Sequence, residues 1–259
     1  MAEVDFPEFD YLETVWVTRQ DVFDPTPEFI ARIFPLSQEN ILRRFFQPHK
    51  TTLLHRLIVV ECEIGFRTLA DNYGAERLID YLSFYTDHPP LRQITVKWYQ
   101  KYLSLPYGEI IEYKEGDLLV DKLSLSLLVD RYFYILFTDR FFLFKFNSLL
   151  TSLVKNLKHE EHPDYVKRNG KLRRSYIPKW LQKGIMRRDQ GRCVNCKRDL
   201  TNVFALETPH YDHIIPLDDF GTNDPVNFQL LCQDCNLSKS SKRWVPPDDD
   251  LHFWKEKVA

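Results

Sequence analysis

The first 35 residues mix aromatic side chains with Pro7, Pro25, Pro27 and Pro35, a pattern that predicts a wrapping segment without long regular elements. From Ser37 the spacing of apolar residues becomes helical. Asn40-Ile41-Leu42-Arg43-Arg44-Phe45-Phe46 reads as a helix capped by Ser37 and ended by Pro48, and a second runs from about Thr51 to Tyr73 before Gly74. Ala75 to Thr86 and Leu91 to Leu103 read as two more, each closed by a nearby proline. Between Asp117 and Leu157 apolar residues are too dense for one clean face, which predicts one long or two consecutive buried helices. Lys122, Asp130, Arg131, Asp139, Arg140 and Lys145 interrupt that run, so no stretch approaches the ~18 uncharged residues a membrane span needs.

At 259 residues and 44% hydrophobic, the chain is large enough for two domains. The pattern divides it into a helical domain over 1–164, whose role the residues do not reveal, a linker over 165–188, and a small C-terminal domain with its tail over 189–259. Four of the five cysteines form two Cys-x-x-Cys pairs, Cys193/Cys196 and Cys232/Cys235. That spacing argues for a metal and a reducing compartment rather than a disulfide scaffold. Cys62 sits in an apolar run and reads as an inert buried thiol. No basic-then-apolar leader opens the chain, which predicts a soluble, cytoplasmic protein. His49, His55, His88, His159 and His162 are scattered without ligand spacing and read as ordinary histidines.

The net charge of -2 conceals an asymmetry. Residues 1–164 carry 18 basic and 25 acidic side chains, residues 165–188 nine and none, and residues 189–259 eight and twelve. A block holding Lys171, Arg173, Arg174, Arg187 and Arg188, directly before the first cysteine pair, suits a polyanion such as nucleic acid. A solvated linker is the competing reading of the same block.

Two Cys-x-x-Cys turns can close one tetrahedral Zn²⁺ site, and four thiolates leave no open coordination position. The zinc is therefore expected to be structural, and the chemistry to come from the polar residues between and after the knuckles. These are Asp212, His213, Asn227 and Asn236. Among them His213 has the ordinary pKa, ~6.5, of a general base at neutral pH, and Asp212 and Asn236 offer oxygens to a hard cation, Mg²⁺ or Mn²⁺. Regular strand alternation would send Asp212 and His213 to opposite faces. On a helix starting near Gln233, Asn236, Lys239 and Arg243 would share a face, with Lys239 and Arg243 meeting the phosphates beside the cut.

The runs Asp212-His213-Ile214-Ile215-Pro216 and Asn227 through Lys239, with the knuckles around them, resemble the HNH nucleases over roughly residues 189–245, about a quarter of the chain. The arrangement looks closest to the subclass of the phage junction-resolving endonuclease VII, in which an Asp, a neighbouring His and an Asn after the last zinc cysteine form the site. The resemblance implies a ββα-metal fold, two short strands and a helix around one catalytic divalent cation, following a mainly α N-terminal domain. It also implies that Asn227 fixes the loop and orients His213. Two departures stand out: Asn236 replaces the usual third histidine, and Phe220 replaces one glycine of a Gly-Gly turn, where it would narrow or re-aim the loop. The function so implied is metal-dependent phosphodiester hydrolysis in nucleic acid, DNA before RNA, with a defence or toxin-like role by analogy of fold alone. A non-cutting zinc module that binds nucleic acid or a protein is the alternative, and the helical domain would serve a protein partner or self-association.

Overall fold

The computed structural model describes residue 18 and residues 20–26, 29–30, 33–73, 119–201 and 208–246. The chain divides into two compact units, one from residues 1–34 and 54–136, the other from 35–53 and 137–259. The second unit is discontinuous in sequence. It contains all of the residues of the candidate site.

The first unit is helical where described. It holds helix α2, Leu53–Tyr73, and helix α3, Leu119–Thr138. Leu57, Ile58, Val60, Cys62, Val129, Tyr132 and Leu136 are buried in it, as the dense apolar pattern requires. His55 stacks on Phe133 with centroids 3.9 Å apart, and Arg56 Nε donates to Ile33 O. Residues 20–23 and 29–30 are short helical pieces. The helices expected over Ala75–Thr86 and Leu91–Leu103, and His88, lie outside the described residues. Among the described residues no helix is long and apolar enough to cross a membrane.

In the second unit, α1 spans Glu39–Phe46 and buries Ile41, Phe45 and Phe46. Its N-cap is Gln38 rather than the expected Ser37, and no side chain caps it. Glu39 in the first turn and Arg43 and Arg44 in the last complement the helix dipole instead. Between α3 and α4, Arg140–Val154, the chain breaks at Asp139, whose side chain accepts from Phe142 N at 2.8 Å. The run read as one long helix or two is thus two, because a carboxylate at Asp139 satisfies a free N–H of the next helix's first turn.

The stretch 165–188, expected only as a linker, is regular structure. Strands β1, Val166–Arg168, and β2, Lys171–Leu172, pair antiparallel through a turn in which Gly170 takes φ 71°. Helix α5, Lys179–Arg188, follows Pro178 and buries Leu181 and Ile185. These two side chains pack with Phe228, Leu230 and Leu231 and with Cys193, Cys232 and Cys235 in one cluster.

The site rests on β3, His210–His213, paired antiparallel with β4, Phe228–Leu231, and on α6, Gln233–Lys239. This is the two-strand-and-helix unit expected. The far edge of β4 is not left open: Leu230 N donates to Asp189 Oδ2 and Leu230 O accepts from Val194 N. Asp189 also binds Arg188 and Arg140, and Arg140 Nη2 donates to Gln229 Oε1 at 3.0 Å. Gln229 Nε2 in turn lies 3.2 Å from Asp212 Oδ2. A relay of hydrogen bonds from the first residue of α4 therefore reaches the carboxylate of β3.

Candidate active site and zinc site

Four sulfurs converge where the loop after α5 meets the start of α6. The Sγ atoms of Cys193, Cys196, Cys232 and Cys235 all lie within 4.8 Å of one another, and Cys196 Sγ is 3.7 Å from Cys232 Sγ. The set fits a closed four-thiolate zinc. Burial pushes the Cys232 thiol up to about 12, so this sulfur ionises only with a cation against it. Asn195 Nδ2 donates to Cys235 Sγ at 3.3 Å and Cys235 N to Cys232 Sγ at 3.4 Å, contacts that orient sulfurs as ligands.

Strand alternation puts His210 and Asp212 on one face of β3 and His213 on the other. Asn236 and Lys239, one turn apart on α6, complete the first face. Lys239 is 1% exposed, and its ammonium lies 2.8 Å from Asp212 Oδ2 and donates to His213 O at 2.8 Å. Asn236 Nδ2 lies 3.4 Å from His210 Nδ1. Asp212 Oδ1 makes no hydrogen bond among the described residues, so one carboxylate oxygen and the Asn236 amide oxygen stand as donors for a hard cation. The ammonium two bonds' reach away counts against tight binding, since like charges share one carboxylate. Both oxygens are donors of the kind that hard Mg²⁺ or Mn²⁺ takes.

His213 is 1% exposed. Its ring tilts against Phe228 at 4.4 Å, and Nε2 lies 3.2 Å from Asn223 Oδ1. Burial, with Arg174 and Lys239 nearby, holds its pKa down at about 4, against the opposing pull of Asp212 and Asn223. The ring is therefore neutral at pH 7. Asp212 and His213 line a cleft of about 730 Å³ together with Lys167, Arg173, Arg174, Leu217 and Asp218.

Asn227 ties the loop: its Oδ1 accepts from Ile215 N, and its Nδ2 donates to Ile215 O and Thr222 O. Among the described residues it makes no hydrogen bond to the His213 ring, and the side chain that does is Asn223. Gly221 fits where nothing larger can, because a Cβ there would meet Ile215 O at 1.9 Å. Phe220 takes φ 64°, the conformation a glycine would favour, and its ring packs on Gly170 with Lys155 Nζ 5.0 Å from its centroid. Phe220 is not among the residues lining the cleft, so the loop is not narrowed by it.

The basic residues separate into two groups. Arg173, Arg174 and Arg187 are exposed, as are Lys167 and Lys183. Arg188, by contrast, has a side chain 2% exposed, paired with Asp189, donating to Phe228 O and lying over Phe137. Lys171 is three-quarters covered and 3.7 Å from Asp218. Lys239 is buried, and α6 ends on it, so the face shared with Arg243 does not exist. Arg243 lies beyond the helix, ion-paired with Asp219. Arg188 and Lys239 are therefore structural cations, a correction to their expected place at the phosphates.

Three contributors carry no signal in a motif. His210 stands two residues before Asp212, so alternation could have found it. Asn223 and Asp189 could not be found that way, since their partners lie far away in sequence.

Residues 193–242 match the family model of the HNH endonuclease, and the chain thus carries an HNH endonuclease domain. No curated protein and no solved structure shows a significant match.

Proposed function

We propose that the protein is an HNH endonuclease that hydrolyses phosphodiester bonds, with DNA as the favoured substrate. The observation that carries the reading is that one cleft lined by Lys167, Arg173 and Arg174 is lined also by the Asp212 carboxylate and the neutral His213 imidazole. His213 takes the proton of the attacking water. Asp212 and Asn236 hold the cation, which supplies charge stabilisation at the phosphoryl oxygens and the leaving 3′ oxygen. Asn227 keeps the loop after β3 in place, and Lys239 limits the net negative charge beside the phosphate. Arg173, Arg174, Lys167 and Arg187 bind the flanking phosphates, and the exposed rings of Tyr176 and Trp180 in the same stretch offer stacking surfaces to bases. The free thiols suit a reducing compartment such as the cytoplasm. Cleavage is tested on supercoiled, linear and single-stranded DNA and on RNA, with Mg²⁺, Mn²⁺ or EDTA. Absence of EDTA-sensitive cutting in all arms would leave the non-cutting zinc module, a reading favoured by one observation, the ion pair that already occupies Asp212.

Asp212→Ala and Asn236→Ala are expected to raise the Mn²⁺ concentration needed for half-maximal cleavage by about tenfold or more, while zinc content stays at wild type. Metal titrations of both variants, read as cleavage and as Mn²⁺ binding by electron paramagnetic resonance, check this. Unchanged titrations would move the cation elsewhere.

Replacing Lys167, Arg173, Arg174 and Arg187 by Gln is expected to weaken binding and flatten its salt dependence, each lost contact removing roughly 0.9 from the slope of log K against log salt on duplex DNA. Arg188 is left in place because its removal would leave Asp189 buried beside too few donors. A slope equal to wild type would mean that the stretch is not the substrate track.

A further inference from the structure

Asn223 is fully buried and every polar atom of its side chain is engaged. Nδ2 donates to Phe46 O at 3.0 Å and to Arg173 O at 2.8 Å. Carbonyls only accept, so these two contacts fix which end of the amide is nitrogen. Oδ1 then faces Ser175 N at 3.3 Å and His213 Nε2 at 3.2 Å. An amide oxygen cannot donate, so Nε2 must carry the proton. In a neutral imidazole the lone pair is then on Nδ1, and no hydrogen bond among the described residues engages that atom.

We propose that Asn223 is the positioning residue for His213, holding the ring as the Nε2–H tautomer with Nδ1 free to accept a proton, and that α1 is part of this device because the Phe46 carbonyl locks the amide. The backbone supports it twice over, since Asn223 N also donates to Phe45 O at 2.9 Å. The last turn of a helix leaves its carbonyls without partners, and here two of them are spent on one asparagine 177 residues further along the chain. The role resembles that of a carboxylate behind a catalytic histidine, but the amide is neutral. It selects the tautomer and stabilises the imidazolium less than a full negative charge would, so the proton taken up by Nδ1 is more readily passed on.

The catalytic part of the inference rests on the nuclease reading, but the tautomer does not. Ring-nitrogen NMR on the full, zinc-loaded chain labelled with ¹⁵N-histidine, with His213 assigned from the signal lost in His213→Ala, should show a protonated Nε2 and an unprotonated Nδ1 near neutral pH. A predominant Nδ1–H form overturns the proposal outright. In Asn223→Ala the preference should collapse to a mixture or reverse, and kcat should fall on the order of 10²-fold with KM little changed. A variant that keeps both the wild-type ring signals and kcat would equally defeat it. Should Asn223→Ala not fold, Asn223→Ser is read in the same way, and the wild-type spectrum decides regardless. Retained cleavage in His213→Ala, with the Nε2–H tautomer still present in wild type, would sink the choice of base and leave the positioning geometry standing.

Discussion

His213→Ala is expected to lower cleavage by a factor on the order of 10²–10⁴ while leaving zinc content and nucleic-acid affinity near wild type. The size follows from the loss of a general base, and the sparing of affinity from the geometry. The imidazole is covered by Phe228 and Asn223, whereas the phosphate contacts are assigned, on the function proposed, to the exposed cations Lys167, Arg173, Arg174 and Arg187. Removing a buried ring also leaves a small cavity under the loop, so the melting temperature should fall modestly. Single-turnover cleavage beside a binding isotherm separates the two effects. A variant that cuts at the wild-type rate would remove His213 from the mechanism, and one that loses binding in proportion would make it a substrate contact.

The second large effect is on folding. Cys232 is a ligand candidate, the N-cap of α6, and the residue whose carbonyl accepts from Asn236 N. Cys232→Ser should therefore lose about one zinc per chain and unfold the C-terminal unit at a markedly lower temperature, because a structural zinc of this kind contributes apparent binding energies of ~10–16 kcal/mol to small domains. Since Asn236 begins one residue after the last sulfur, the cation response should vanish with the zinc. Elemental analysis and thermal melts test both points: a wild-type melt with the zinc gone would show that the cluster does not staple the fold.

The parts of this structure that were legible in the sequence are those written in local spacing. The two cysteine pairs, the break at Pro48, and the strand that carries Asp212 and His213 all announce themselves within a few residues, whereas the apolar pattern around Asp139 leaves the choice between one helix and two open. What was illegible depends on direction. Nine basic residues in a row of 24 look alike on paper, yet Arg188 turns inward to a carboxylate while Arg187, its neighbour, faces solvent. Lys239 matched a helix face that would have met phosphates, but the chain leaves the helix at Ser240, φ 49°, and the ammonium closes on Asp212. Asn223 looks like an ordinary turn residue in Thr222-Asn223-Asp224, because its meaning lies in carbonyls contributed by residues 46 and 173. Only a fold can bring such partners together.

The discontinuity of the second unit has a bearing on biosynthesis. Residues 35–53 leave the ribosome well before their partners in the loop after β3: Asn223 for Phe45 and Phe46, and Asp224, whose carboxylate accepts from Leu53 N at 2.8 Å. Contacts spanning 171 to 178 residues, from Leu53–Asp224 to Phe45–Asn223, close late, since the intervening chain must first be made and its loop entropy overcome. A nascent chain therefore cannot assemble the candidate site until the loop after β3 has been made, and a product terminated before that loop, however well its helices form, would lack the contacts that Asn223 and Asp224 make.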